Sequence, residues 1–159
     1  MKDGEKEIQA ALRGQRVLIL GGLGFIGSNL AGFCTAAGAK VLIFDNLDPH
    51  SGGNLYNIAP IRKDIALHFH DILDFDRLVH HITDQDIIIN CAASTSHPYS
   101  MREPWIDLDV NSRGVVNILE AIRRFNGEAR FIHLGTSTQL GKLVYQPADE
   151  NHPEFPTDI

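Results

Sequence analysis

The stretch Gly21-Gly22-Leu23-Gly24-Phe25-Ile26-Gly27 constrains this chain more than any other. It lies between a short β-branched run at 17–20 and a helically spaced stretch at 25–37 that stops at Gly38. Glycines placed there let the chain turn sharply off a strand, bring bare backbone to a ligand and pack a helix close to that strand. Further apolar runs recur at 41–44, 66–69, 87–89 and 131–134. The runs at 17–20, 41–44 and 87–89 barely alternate, as strands covered on both faces do. Helical spacing fills the intervals. A short helix is expected to follow Asp74 and end near His81, and a long one to run from about Pro104 to Phe125. In the long one Trp105, Leu108, Val115, Ile118, Leu119, Ile122 and Phe125 fall mostly three or four apart. Pro104 suits a first helical turn and Asn126-Gly127 a helix stop.

Strand and helix therefore alternate, which predicts right-handed crossovers and an α/β fold. The expected architecture is a doubly wound parallel sheet, the Rossmann arrangement, with about five strands, helices on both faces and its C-terminal part missing. At 159 residues the chain has the size of one domain, and 43% hydrophobic residues can supply its core. Residues 1–14 read as an N-terminal extension, loosely helical through Ile8, Ala11 and Leu12. Residues 15–145 read as the dinucleotide-binding domain. Residues 146–159 carry prolines and acids without strand or helix pattern, and read as a loop leading to a missing catalytic or substrate region.

A net charge of −6 argues against a nucleic-acid platform, which needs a cationic face. No apolar run approaches the roughly 20 residues of a membrane span, and the start of the chain has no signal-peptide core. Cys34 and Cys91 belong to no Cys-x-x-Cys pair and read as reduced, buried thiols. A cytoplasmic location is expected.

The glycine loop opens a helix whose first N–H groups and positive dipole end suit a pyrophosphate. The second apolar run ends at Asp45, where a carboxylate can accept hydrogen bonds from both hydroxyls of an adenosine ribose. A 2′-phosphate would meet a like charge there, and the following Asn46 and Leu47 offer no arginine. NAD is therefore expected over NADP. A plain turn acid is the competing reading of Asp45 alone, and the glycine loop weakens it.

Together Gly21-x-x-Gly24-Phe25-Ile26-Gly27, Asp45-Asn46-Leu47, Asp71-Ile72, Asn90-Cys91-Ala92-Ala93-Ser94-Thr95, Asp109-Val110-Asn111-Ser112-Arg113-Gly114 and Gly135-Thr136-Ser137-Thr138-Gln139-Leu140-Gly141 resemble the extended short-chain dehydrogenase/reductase family. Its nucleotide-sugar epimerases and dehydratases are the nearest group. The resemblance implies that Gly21, Gly24, Phe25, Ile26 and Gly27 hold the pyrophosphate, that Asp45 and Asn46 hold the ribose, and that Asp71 and Ile72 flank the adenine. It places Ala92, Ala93 and Thr95 against the cofactor. It also matches Asn111 to a helix asparagine, which at depth must hydrogen-bond a loop or water. Leu20 and Leu140 depart from the threonine and tyrosine usual at those places, and the stretch 96–101 is not that of the galactose epimerase.

The same resemblance gives Thr136, five positions before Gly141, as the catalytic hydroxyl that would bond the reacting sugar oxygen. Ser137 and Thr138 share its chemistry, and a cap role is the competing reading. The family's base is a tyrosine with a lysine four residues on. The positions four beyond Tyr56, Tyr99 and Tyr145 hold Pro60, Glu103 and Asp149. The run 156–159 resembles the approach to that motif, so a longer enzyme is expected. Eight histidines include His68 and His70 on one strand and His80-His81 on a helix, but no spacing matches a zinc site with cysteine partners. No metal is expected. His97 lies in the loop after the fourth strand, on the expected substrate side.

The resulting expectation is the NAD-binding part of a nucleotide-sugar epimerase or dehydratase, acting by transient hydride transfer, its parent a homodimer built through the long helix. The alternatives are a non-catalytic dinucleotide-binding regulatory module and an NAD(P)-dependent reductase of the same superfamily.

Overall fold

The computed structural model describes residues 3–156. The end of the expected approach to the tyrosine motif, residues 157–159, lies outside the described residues. The order of elements is α1 (Asp3–Leu12), β1 (Arg16–Leu20), α2 (Phe25–Ala36), β2 (Lys40–Asp45), β3 (Ala66–Phe69), α3 (Phe75–Ile82), β4 (Ile87–Asn90), α4 (His97–Ser100), α5 (Pro104–Leu108), α6 (Gly114–Phe125) and β5 (Arg130–His133). Two 3₁₀ segments, Leu55–Ile61 and Ser137–Leu140, were not anticipated from sequence. The five strands form one parallel sheet in the order β3-β2-β1-β4-β5. The order reverses at β1, which puts β2 on one side and β4 on the other, and ligands of open α/β sheets gather beyond the strand ends at such a point.

Alternate residues of each strand serve two cores. Val17, Ile19, Val41, Ile43, Ile87 and Ile89 face α2 and the 55–61 segment, burying Ala31, Cys34 and Ile58. Leu18, Leu20, Phe44 and Ile88 face α3 and α6, burying Leu78, Ile82, Ile118 and Ala121. This two-sided burial is why the central runs do not alternate in sequence.

The helix stops follow local chemistry. Asp74 caps α3 by accepting from the Arg77 amide at 3.1 Å. Gly38 ends the α2 turn at φ 85°. Asn126 closes α6 and donates its side-chain amide to the carbonyls of Ile82 and Gln85.

The long helix expected over 104–125 is not uniform. Its α-helical pattern is broken by a π-helical turn at Asp109–Arg113. The apolar spacing hid this because both flanks keep helical periodicity. The turn carries Asn111, whose side chain is engaged with the loop after β4. Trp105 is 76% exposed and Val116 57% exposed, so neither extends the core, whereas Ile122 packs against it. Among the described residues, no helix is long and apolar enough to cross a membrane.

Candidate dinucleotide-binding site

The carboxyl ends of β1, β2 and β4 open onto a cleft of about 280 Å³. Gly21 leaves β1 at φ 73°, and its amide donates to the Phe44 carbonyl at 2.9 Å. A Cβ on Gly21 would stand 2.6 Å from the Ala92 nitrogen, so the turn is pressed against the exit of β4. A Cβ on Gly27 would collide with the Gly21 carbonyl, which fixes how closely α2 lies on the turn. Gly24 differs: it is the N-cap of α2, has no side chain to satisfy the first-turn amides, and an added Cβ would meet only the Gly21 oxygen at 3.5 Å. Its open side faces the cleft. Gly22, which sequence reasoning passed over, is held against Ile43, where a Cβ would come within 2.6 Å.

Asp45 ends β2 and is only 8% exposed. One carboxylate oxygen accepts from the Leu23 amide at 2.9 Å and the other from the Leu47 amide at 2.8 Å. Next to it, Asn46 donates to the Asp71 carboxylate at 2.9 Å, and Asp71 also accepts from the Leu73 amide at 2.8 Å. The ends of β2 and β3 are thereby tied across the cleft. Ile72 is buried beneath, touching Gly114 at the start of α6.

On the β4 side, Asn90 is 1% exposed. It accepts from the Ala92 amide at 3.1 Å and donates to His133 Nδ1 at 3.1 Å. This buried amide sets the path of Cys91-Ala92-Ala93, and sequence spacing alone gave it no role. Asn111 is exposed rather than buried, which corrects the depth expected for it. Its amide still pairs with both backbone groups of Ser94 at 2.9 Å and donates to Asp107 at 3.0 Å.

Eight of the sequence-predicted residues line the cleft: Gly21, Gly24, Asp45, Asn46, Asp71, Ile72, Ala92 and Ala93. Phe25 and Ile26 begin α2 with their side chains largely in solvent, Gly27 packs behind the turn, and Thr95 is exposed in the loop after β4. Ser51, Gly53, His70, Tyr99 and Val110 also line the cleft without having been singled out as cofactor contacts.

Thr136 follows β5 and is exposed. It caps the 137–140 segment by accepting from the Thr138 amide at 3.2 Å, and the two hydroxyls lie 2.8 Å apart. Tyr145 donates to Asp149 at 2.6 Å, a bond that raises its phenol above the usual value. Tyr99 stacks on His50, with ring centroids 4.4 Å apart.

Burial pushes the Cys91 thiol up to about 11. Burial also lowers the His81 imidazole, opposed by the hydrogen bond of its Nδ1 to the Arg77 carbonyl and assisted by the nearby charges of His68, His80 and Arg77.

A dinucleotide fits these features: an open helix N-terminus for phosphate, a buried acceptor for ribose hydroxyls and an apolar floor of Ala92, Ala93 and Ile72.

Comparisons with known proteins agree with this fold. A family profile described as GDP-mannose 4,6 dehydratase matches residues 18–158. A putative UDP-glucose 4-epimerase of Methanocaldococcus jannaschii is 32% identical over 140 residues, 88% of this chain and 44% of that protein. An epimerase from Methanothermobacter thermautotrophicus superposes with a TM-score of 0.84 at 30% identity, covering 94% of this chain and 44% of that one. The UDP-glucose 4-epimerase of Brucella ovis, solved in complex with NAD, gives a TM-score of 0.81 at 26% identity, covering 91% of this chain and 43% of that one. The chain thus spans less than half the length of these relatives. With the match across residues 18–158 and the Rossmann sheet, the chain belongs to the GDP-mannose 4,6 dehydratase family, within the NAD-dependent epimerases and dehydratases of the short-chain dehydrogenase/reductase type.

Proposed function

We propose that this chain is the NAD-binding part of a nucleotide-sugar epimerase or dehydratase. One observation carries the reading: the buried Asp45 carboxylate and the uncapped start of α2 at Gly24 line the same cleft. NAD, when bound, supplies the acceptor for a hydride from the sugar carbon and returns it later in the cycle. The α2 N-terminus, with Gly21 and Gly24, holds the two phosphates through backbone N–H groups. Asp45 keeps lone pairs beyond those given to Leu23 and Leu47, and these accept the ribose hydroxyls. Asn46, tied to Asp71, joins Asp45 at the ribose, Asp71 and Ile72 flank the adenine, and Asn111 fixes the loop carrying Ala93 and Thr95 through Ser94.

Thr136 is the hydroxyl on the substrate side. Its O–H donates to the reacting sugar oxygen and steadies the charge that develops there, with the Thr138 hydroxyl 2.8 Å away to hold it in place. The proton-abstracting tyrosine–lysine pair is supplied from outside these 159 residues, since no tyrosine here has a lysine four positions on. The nucleotide-sugar is the substrate of the complete enzyme, and the exposed apolar side chains of α5 and α6 make it a homodimer. Two free thiols suit a reducing, cytoplasmic setting.

The test is a pair of measurements on the 159-residue chain. NADH fluorescence should saturate on titration, and incubation with NAD⁺ and UDP-, GDP-, CDP- or dTDP-sugars should give no interconversion. Absence of NADH binding overturns the cofactor reading. Turnover by the chain overturns the division of labour between this part and the rest.

A further inference from the structure

Three imidazoles converge where the outermost strand meets α3, away from every role assigned above except that of His70 in the cleft wall. His68 and His70 are two apart about the end of β3, so both project to the sheet face that α3 covers. Leu67, the neighbour of His68, packs into the opposite core. His81 lies in the last turn of α3 and is buried against Phe44, with ring centroids 5.3 Å apart. One ring nitrogen from each of His68, His70 and His81 lies within 4.8 Å of the other two. The His68 and His70 rings stand 4.6 Å and 5.2 Å from that of His81.

His81 Nδ1 is 2.7 Å from the Arg77 carbonyl. A carbonyl can only accept, so Nδ1 carries the proton and Nε2 keeps the lone pair. A backbone carbonyl holding one ring N–H is the arrangement that orients a metal-bound histidine. We infer that His68, His70 and His81 form a binding site for a divalent late transition-metal ion of the zinc, nickel or copper class. The inference is independent of the cofactor reading.

The donor chemistry selects the ion. Three imidazole nitrogens suit zinc, nickel and copper, whereas calcium and magnesium require oxygen. The flanking Arg77 guanidinium repels any cation, which further disfavours ions held by charge alone rather than by strong nitrogen bonds. Metal–nitrogen bonds of about 2.0–2.1 Å need the nitrogens roughly 3.3 Å apart in a tetrahedral site. His68 is exposed and can swing inward to close the gap, and water completes the coordination. A bound ion would join an edge strand to the helix above it, beside the Asp71 turn, and stabilise the fold by mass action.

The experiment uses the full 159-residue chain without a histidine tag, stripped with chelator, in calorimetric titrations with zinc and nickel chlorides. One saturable ion per chain is expected, with no heat of specific binding from magnesium or calcium. His68→Gln and His70→Gln should each weaken binding at least about tenfold, and His50→Gln, outside the cluster, should leave it unchanged. His68 is exposed, so its variant keeps the fold, which circular dichroism checks. Long-range ¹H–¹⁵N spectra should show zinc moving the Nε2 signal of His81 while Nδ1 stays protonated. No saturable binding, binding untouched by both variants, or zinc shifts confined to other histidines would each overturn the site.

Discussion

The Asp45 carboxylate and the Leu23 amide, from the end of β2 and the middle of the glycine loop, are joined by a 2.9 Å hydrogen bond. The acid we propose for the ribose is therefore also a brace for the glycine turn. Asp45→Ala should leave the Leu23 and Leu47 amides without their acceptor and destabilise the fold by about 1–3 kcal/mol. Urea denaturation checks this, and unchanged stability would make Asp45 a ligand group only.

Cofactor choice follows from the same residue. The wild-type chain should bind NADH more tightly than NADPH, because a 2′-phosphate would face Asp45. Asp45→Ala combined with Asn46→Arg should reverse the order, by removing the repulsion and supplying a phosphate partner. Parallel fluorescence titrations with both cofactors decide it, and equal affinities in the wild type would refute the expectation.

Two glycines of one loop should fail in different ways. Gly24→Ala has space in the protein and should fold normally, yet lose NADH affinity, since its methyl group occupies the phosphate side. Gly27→Ala meets the Gly21 carbonyl and should cost about 1–3 kcal/mol of stability by overpacking. Thermal melts beside binding curves separate the two outcomes.

Cys91 offers a pH signature. Its thiol titrates near 11 in the folded chain against an ordinary 9.0, so the thiolate is scarce at neutral pH. Iodoacetamide labelling of native protein should be slow at pH 7 and rise about tenfold per pH unit towards 10. Because the folded value is raised, the stabilisation linked to the neutral thiol is complete below pH 9 and lost as pH climbs through 11. NAD should slow the labelling further, since Cys91 lines the cleft. Mass spectrometry of labelled peptides reads both effects.

Trp105, Val116, Leu119 and Phe125 put apolar surface on the outside of α5 and α6. Sedimentation over a concentration series should show self-association, and Val116→Glu should abolish it. A monomer at all concentrations would count against a dimer through these helices.

What sequence made visible was whatever repeats with a fixed period or sits at a fixed place in a turn. The five strands, the glycine loop, Asp45 and the Asp74 cap all depend on local order, and the cleft gathers them because every parallel strand ends on the same side. What stayed hidden depends on contacts between distant segments. Asn90 looks like the polar end of a strand until His133 lies beside it. His68, His70 and His81 are unremarkable in spacing and meet only when α3 folds onto β3. The π-helical turn was invisible for another reason: a single added residue leaves the hydrophobic pattern on each flank intact.

That turn acts as a phase shifter. Each residue of an α-helix rotates the next by about 100°, so one extra residue in the loop of hydrogen bonds re-aims everything downstream by that angle. At the turn itself the helix answers to the loop after β4, through Asn111 and Ser94. Downstream it answers to the sheet, through Ile118 and Ala121. A uniform helix could satisfy one of these surfaces but not both. Removing Ser112 would leave Asn111, Ile118 and Ala121 in the chain, yet turn either the asparagine or the apolar stripe away from the surface it serves.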